Sequence, residues 1–208
     1  MATIKSSAKK VKAAPKPGTQ DLMERRIAEG LKKRRDELAL STAELAERSV
    51  VSRAMVSKIE RLEVSPTAVL LGRLCNGLGM TLSSLIAGAE NSSGPPIARA
   101  SEQPVWRDPD TGLQRTMVSP LHTGSRTELV HVELPGGAEV KYDTQQQLHY
   151  DQHVFVLQGK LTMKFGEEGF ELGAGDCIRS RFDVPHAFAN RGRSPCKYLV
   201  VICRWEGV

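Results

Sequence analysis

The sequence predicts an α+β protein of two domains, a helical head followed by an antiparallel β body. In residues 21–88 apolar side chains recur at helical spacing and no strand-like alternation appears. A Gly/Ser/Pro-rich connector follows, with residues 89–104 as the linker. Residues 105–208 then change to short β-branched runs, TELVHVEL, HVFVLQG, KLTMKF and KYLVVICRW, spaced by PGG, GEEG and GAGD turns. Evenly spaced strands and turns of this kind make an antiparallel barrel or sandwich.

The 208 residues suffice for two small cores, and the 40% apolar content is ordinary for a globular chain. No apolar run approaches the ~18 residues that span a bilayer. The N-terminus is basic and lacks the apolar stretch of a signal peptide, so a cytoplasmic protein with no membrane partner is expected. Cys75, Cys177, Cys196 and Cys203 show no CxxC spacing and are expected to be reduced thiols. The net charge of +5 lies in residues 1–20, which hold five lysines and no acid and are expected to form a disordered basic tail. Lysine without acid also suits a phosphate backbone.

Within the head, Ile27, Leu31 and Leu38 keep one face of the first helix apolar. Ser41 or Thr42 can cap a second helix running to Arg48, and Ser52 a third covering Arg53 to Arg61. The short gap between these two suits a helix-turn-helix. Leu45, Ala46, Val51, Val56 and Ile59 are expected to form their shared core, Ala46 being small where the helices cross. Ser65-Pro66 is expected to start a fourth helix, Asn76-Gly77 to end it, and Thr81 to cap a short fifth. The outward face of 52–61 then carries Arg53, Ala54, Ser57, Lys58 and Arg61. Such donors suit base edges in the major groove, and the Ala54 methyl suits a thymine methyl. A merely solvated helix face would carry similar charge. Lys32, Lys33, Arg34 and Arg35 are candidates for phosphate neutralisation.

Residues 27–87 resemble the Cro-like phage-repressor (XRE) helix-turn-helix family. LAERSVVSRAMVSKIERLEVSPT is similar to its recurrent pattern of LA, a turn, VS, an IE pair and SPT. The resemblance implies a five-helix, lambda-repressor-like domain that binds a palindromic double-stranded DNA operator as a dimer. It implies a DNA-binding set of Thr42, Ser52, Arg53, Ala54, Ser57, Lys58 and Arg61, with Thr42 on phosphate and Arg53, Ala54, Ser57 and Lys58 facing bases. Where the family usually has a turn glycine this chain has Val50, and a β-branched residue at positive φ is an outlier. Either a different turn conformation or a shifted helix angle is expected.

Residues 105–208 resemble the small-barrel cupins of jelly-roll type. The residues behind this are PGG at 135–137, VLQG at 156–159, GAGD at 173–176 and PHAFAN at 185–190. An XRE head followed by one cupin matches a class of bacterial regulators. Metal-binding cupins carry His-x-His, three or four residues, Glu, then six residues before Gly, and a second motif ending in His and, after three residues, Asn. His186 and Asn190 match the second motif. The glutamate position falls on Gln152, and the histidine positions fall on Gln146 and Leu148 or on Gln145 and Gln147. Carboxamides are poor ligands for zinc, iron or nickel, so no metal or other cofactor is expected. His149 and His153 would stand ~13 Å apart in an extended strand at ~3.3 Å per residue, and would share an ion with His186 only through an intervening turn.

Gln145, Gln147, Gln152 and His186 are therefore the candidate ligand-binding residues, polar groups on apolar walls. The alternative has the glutamines in an exposed loop and His186 as a structural histidine. Arg179 and Arg181 share one strand face and are expected to point outward; inward, they would suit an anionic ligand.

The function expected is a homodimeric, sequence-specific transcriptional regulator without enzymatic activity. Its cupin binds a small-molecule effector and dimerises; the resemblance suggests an amino acid, amine or sulfur-containing metabolite. Two rivals stand beside it: a metal-dependent cupin enzyme with a DNA-binding head, and a phage- or antitoxin-type repressor whose β domain only contacts proteins.

Overall fold

A computed structural model of the chain describes residues 19–82, 85, 94–121, 123, 125–144, 150–180 and 184–204. The head holds α1 (Thr19–Glu37), α2 (Thr42–Arg48), α3 (Arg53–Glu60) and α4 (Ala68–Gly77). Ser41, not Thr42, caps α2: its hydroxyl accepts from Glu44 N–H while the Glu44 carboxylate accepts from Ser41 N–H, a capping box. Ser52 caps α3 by accepting from Met55 N–H at 3.2 Å. The α4 cap is Thr67 rather than the Ser65-Pro66 expected, because its hydroxyl reaches Leu70 N–H at 3.2 Å. Four helices rather than five are found among the described residues. Beyond α4 a helical bond runs from Leu85 N–H to the Thr81 carbonyl (2.9 Å), and most of the segment expected as a fifth helix lies outside the described residues.

All four helices end in the same way. Ala39 (φ 52°), Val50 (φ 53°), Leu62 (φ 61°) and Gly79 (φ 63°) are left-handed. The next N–H then returns to a carbonyl five residues back, Leu40 to Arg35, Val51 to Ala46, Glu63 to Lys58 and Met80 to Cys75. This is the Schellman closure, which normally takes glycine. Val50 thus adopts the glycine conformation itself, which corrects the expectation of a different turn. Helix α4 ends at Gly77 as expected, and the left-handed residue of its closure is Gly79. Gly77 serves the crossing instead, since a Cβ there would lie 2.2 Å from the buried Ser49 Oγ.

Leu45, Ala46, Val56 and Ile59 are buried with Met23, Ile27 and Leu31, as the helical spacing requires. Leu38 is 37% exposed, because α1 has already ended at Glu37 and the chain turns away. Arg35 points inward, correcting its assignment to phosphate. Its guanidinium donates to both Glu60 oxygens (2.7 and 3.1 Å) and to the Leu40 carbonyl (2.9 Å), clamping α1 to α3.

In the body, β1 (Val105–Arg107), β2 (Gln114–Met117), β3 (Thr127–Leu134), β10 (Cys196–Arg204), β5 (Tyr150–Gln158) and β8 (Cys177–Arg179) form one sheet in that spatial order. A second sheet has the order β4 (Glu139–Tyr142), β9 (His186–Ala189), β6 (Lys160–Phe165) and β7 (Glu168–Gly173). Every pairing is antiparallel. No ladder joins the two sheets among the described residues, so the closed barrel expected is an open double sheet instead. Period-2 burial fills the space between them: Val130, Val200 and Val154 lie side by side in register across β3, β10 and β5.

The head is packed onto the body rather than merely tethered to it. Helix α1 lies against β1 and α4 against β4, and the two apolar cores run together. Asp108, 2% exposed just beyond β1, reaches across this seam. One carboxylate oxygen accepts Ala68 N–H at the start of α4 (3.1 Å), and the other accepts the Thr111 N–H and hydroxyl. Its charge faces the positive end of the α4 dipole. No helix among the described residues is long and apolar enough to cross a membrane.

Candidate functional site

Two regions bring together residues singled out by their chemistry. The first is the outer face of α3. Burial of Val56 and Ile59 fixes which way the helix faces, and leaves Arg53, Ala54 and Lys58 exposed and Ser57 half-buried. Ser52 is exposed at the cap, and Thr42 is half-buried in the first turn of α2. Arg61 follows the last residue of α3 rather than belonging to it. Its guanidinium donates to both Glu63 oxygens (2.6 and 3.3 Å) and to Ser57 Oγ (2.7 Å). The Glu63 pair raises the Arg61 pKa, and the same hydrogen bonds lower that of Glu63.

The second region is a cavity of about 70 Å³ in the seam between head and body. Ala68, Gly72 and Cys75 of α4 line one side. Trp106, Arg115, Tyr142, Gln152 and His186 bring polar groups from the strands, and Leu113, Val200 and Ile202 add apolar wall. Gln152 faces inward on β5, with its amide 3.4 Å from the buried Ser180 hydroxyl. His186 stacks on Tyr142 with ring centres 5.2 Å apart. Burial lowers the His186 pKa, and raises those of Tyr142 and Tyr198; it pushes the Cys75 thiol up to about 12. The Arg115 guanidinium works against all three of the last shifts, which puts its field on head and body residues together.

Of the four candidate ligand-binding residues, Gln152 and His186 thus meet in one cavity, while Gln145 and Gln147 lie outside the described residues. His153 is exposed on the outer face of β5, opposite Arg179 of β8, so it points away from His186. His149 lies outside the described residues. Arg179 is outward, paired with Asp151 (2.7 Å), and Arg181 is outside the described set. Asn190 keeps its motif position for a structural reason: its amide donates to the Leu134 and Ser194 carbonyls (both 2.9 Å) and its oxygen accepts Gly192 N–H. The donor set does not fit the metal of metal-binding cupins. Among the described residues His186 is the one matching ligand in the cavity, and a neutral carboxamide stands at the glutamate position.

Arg115 and Trp106 escaped the sequence reasoning. A signal was present, because Leu113 and Met117 are buried on either side of Arg115 at period-2 spacing, where alternation calls for an apolar residue.

Comparison with known proteins bears on both regions. A family model described as Helix-turn-helix matches residues 31–85, and one described as Cupin domain matches residues 130–202. The HTH-type transcriptional regulator SutR of Escherichia coli K12 is 28% identical over 172 residues, covering 83% of this chain and 91% of SutR. The chain is a helix-turn-helix transcriptional regulator with a cupin domain. The HTH-type transcriptional regulator PuuR of the same organism matches this regulator at 24% identity over 173 residues, 79% of this chain and 88% of PuuR. In three dimensions the regulator shares the fold of an HTH_3 family transcriptional regulator from Vibrio cholerae. The TM-score is 0.70 at 24% identity, covering 89% of this chain and 98% of that one.

Proposed function

We propose that the regulator reads its operator with α3, and that a small effector bound in the cupin half changes how the head is held. The unit of residues 21–88 acts as the DNA-binding domain and the unit of residues 105–208 as the sensor, in a cytoplasmic homodimer that spans two operator half-sites. The observation that carries this reading is the orientation of α3, whose core residues turn Arg53, Ala54 and Lys58 outward together. Arg53 and Lys58 suit guanine acceptors, Ala54 a thymine methyl, and Ser57 and Ser52 hydrogen bonds at the groove edge. Thr42 at the start of α2 suits a phosphate. Arg61 reaches DNA only by exchanging Glu63 for a phosphate, which makes its contribution salt-dependent. The lysines of residues 1–20 would add to the same term.

The effector part rests on the cavity, which touches α4 and the cupin strands at once. A ligand there changes head placement only through unequal affinity for two arrangements. Operator selection from random duplexes, followed by titration of Arg53→Ala, tests the DNA reading. The variant should lose about 1–3 kcal/mol of operator affinity and relax preference at one base position. Unchanged affinity and footprint would remove Arg53 from the reading face.

A further inference from the structure

We infer that the seam cavity is a carboxylate site, in which a short-chain carboxylic acid anion binds across Arg115 and Trp106 and is covered by α4. The inference rests on the effector reading above and gives it a ligand class. Trp106 on β1 and Arg115 on β2 are direct cross-strand partners, and both line the cavity. Opposed residues on one face hold their Cβ atoms ~5 Å apart, so the two side chains stand side by side. The Arg115 Nε and Trp106 Nε1 are both buried and meet no acceptor among the described residues, while the rest of the Arg115 guanidinium is held by a hydrogen bond to the Tyr142 side chain. Buried N–H donors nearly always have a partner, and here two of them line one small space.

The chemistry of the missing acceptor follows from the donors. Indole N–H and guanidinium N–H can only donate, so the ligand must accept at two adjacent points. A carboxylate does so with two oxygens, and it also neutralises the guanidinium, which forms no ion pair among the described residues. An amine would bring donors against donors and a second positive charge. Nearby Asp108 is no substitute, since its oxygens already serve Ala68 and Thr111. Leu113, Val200 and Ile202 leave an apolar wall for a short tail, and about 70 Å³ limits that tail to a few carbons. The ligand would lie against Gly72 and Cys75 of α4 as well as against the strands, so it holds head and body in their present contact.

The test uses the full-length protein at constant ionic strength, with acetate, propionate and butyrate as probes and propionamide and propylammonium as matched controls. Isothermal titration and thermal shift should show saturable binding of a carboxylate and none of the amide or amine. Arg115→Gln should weaken binding by about ten- to a hundredfold, the usual weight of a lost charged hydrogen bond. Trp106→Phe keeps the ring and removes one donor, and should weaken it severalfold even if Arg115→Gln folds poorly. Propionamide or propylammonium binding as well as propionate, or Arg115→Gln retaining full affinity, overturns the carboxylate site while leaving an effector cavity standing. Absence of binding by any probe overturns the carboxylate site too. If a broader metabolite library then also fails to move the melting temperature or operator affinity, the effector reading falls with it.

Discussion

Replacing Val50 by glycine should make this protein more stable, although it deletes a side chain and adds no interaction. Val50 sits at φ 53°, and the two hydrogen bonds that close the turn, Val50 N–H to Glu47 (3.2 Å) and Val51 N–H to Ala46 (2.9 Å), require that conformation. An L-residue there carries a strain of about 1–2 kcal/mol, at the upper end for a β-branched side chain. The side chain is 79% exposed, so its removal forfeits almost no burial. Glycine adds freedom to the unfolded chain, which costs about 0.5–1 kcal/mol. The net gain is about 0.5–1.5 kcal/mol, or a rise of ~1–6 °C at ~2–4 °C per kcal/mol for a chain of this size. Chemical and thermal denaturation of Val50→Gly and Val50→Ala would measure it, the alanine variant recovering only the β-branched share. Operator affinity should stay the same, because the turn keeps its geometry. A glycine variant equal to or less stable than the parent would refute the positive-φ turn and the strain argument together.

Other substitutions probe the seams within the head and the cavity. Glu60→Gln leaves the inward Arg35 guanidinium with only the more exposed Asp36 (2.7 Å) as counter-charge and should cost about 2 kcal/mol, between the ~1 of exposed pairs and the ~3–5 of buried ones; denaturant melts decide it. Gly77→Ala should destabilise by about 1–3 kcal/mol through overpacking, and adding Ser49→Ala should recover much of the loss, since the intruding Cβ meets Ser49 Oγ at 2.2 Å. If the double variant shows no recovery, the clash lies elsewhere. Burial depresses the His186 pKa below its ordinary 6.5, chiefly against the opposing effects of the Val184 carbonyl and Asp143. The unfolded chain then binds the proton first, so the stability held above pH 6.5 is lost as pH falls below that value. His186→Gln should flatten that part of the stability profile, and an unchanged slope would mean that another group sets it.

Much of the molecule was legible in order along the chain. The serine caps of α2 and α3, the core pattern of Leu45, Ala46, Val56 and Ile59, and the strand TELVHVEL all emerged where local chemistry placed them. These features depend on spacing and capping within a few residues, and periodicity records both. Element ends were less legible. Thr67 replaced Ser65-Pro66 as a cap, and Gly79 rather than Gly77 took the left-handed position of the closure, because several residues of suitable type compete within one turn and only hydrogen-bond geometry chooses. Ionic partners were less legible still: Arg35 looks like its neighbours Lys32, Lys33 and Arg34 until Glu60, twenty-five residues away, takes it inward.

The sequence by itself determined a helix-turn-helix head, an antiparallel cupin body and the outward face of α3, since these follow from short-range periodicity and from motifs read as such. Tertiary structure alone decided what lies between them. It docked α4 onto the body through Asp108, left the two sheets unjoined among the described residues, turned His153 away from His186, and set Arg115 beside Trp106 under Gly72 and Cys75. These arrangements depend on how elements assemble in space, which no local pattern encodes in full. A cavity made by such contacts exists only once the two halves have closed on each other.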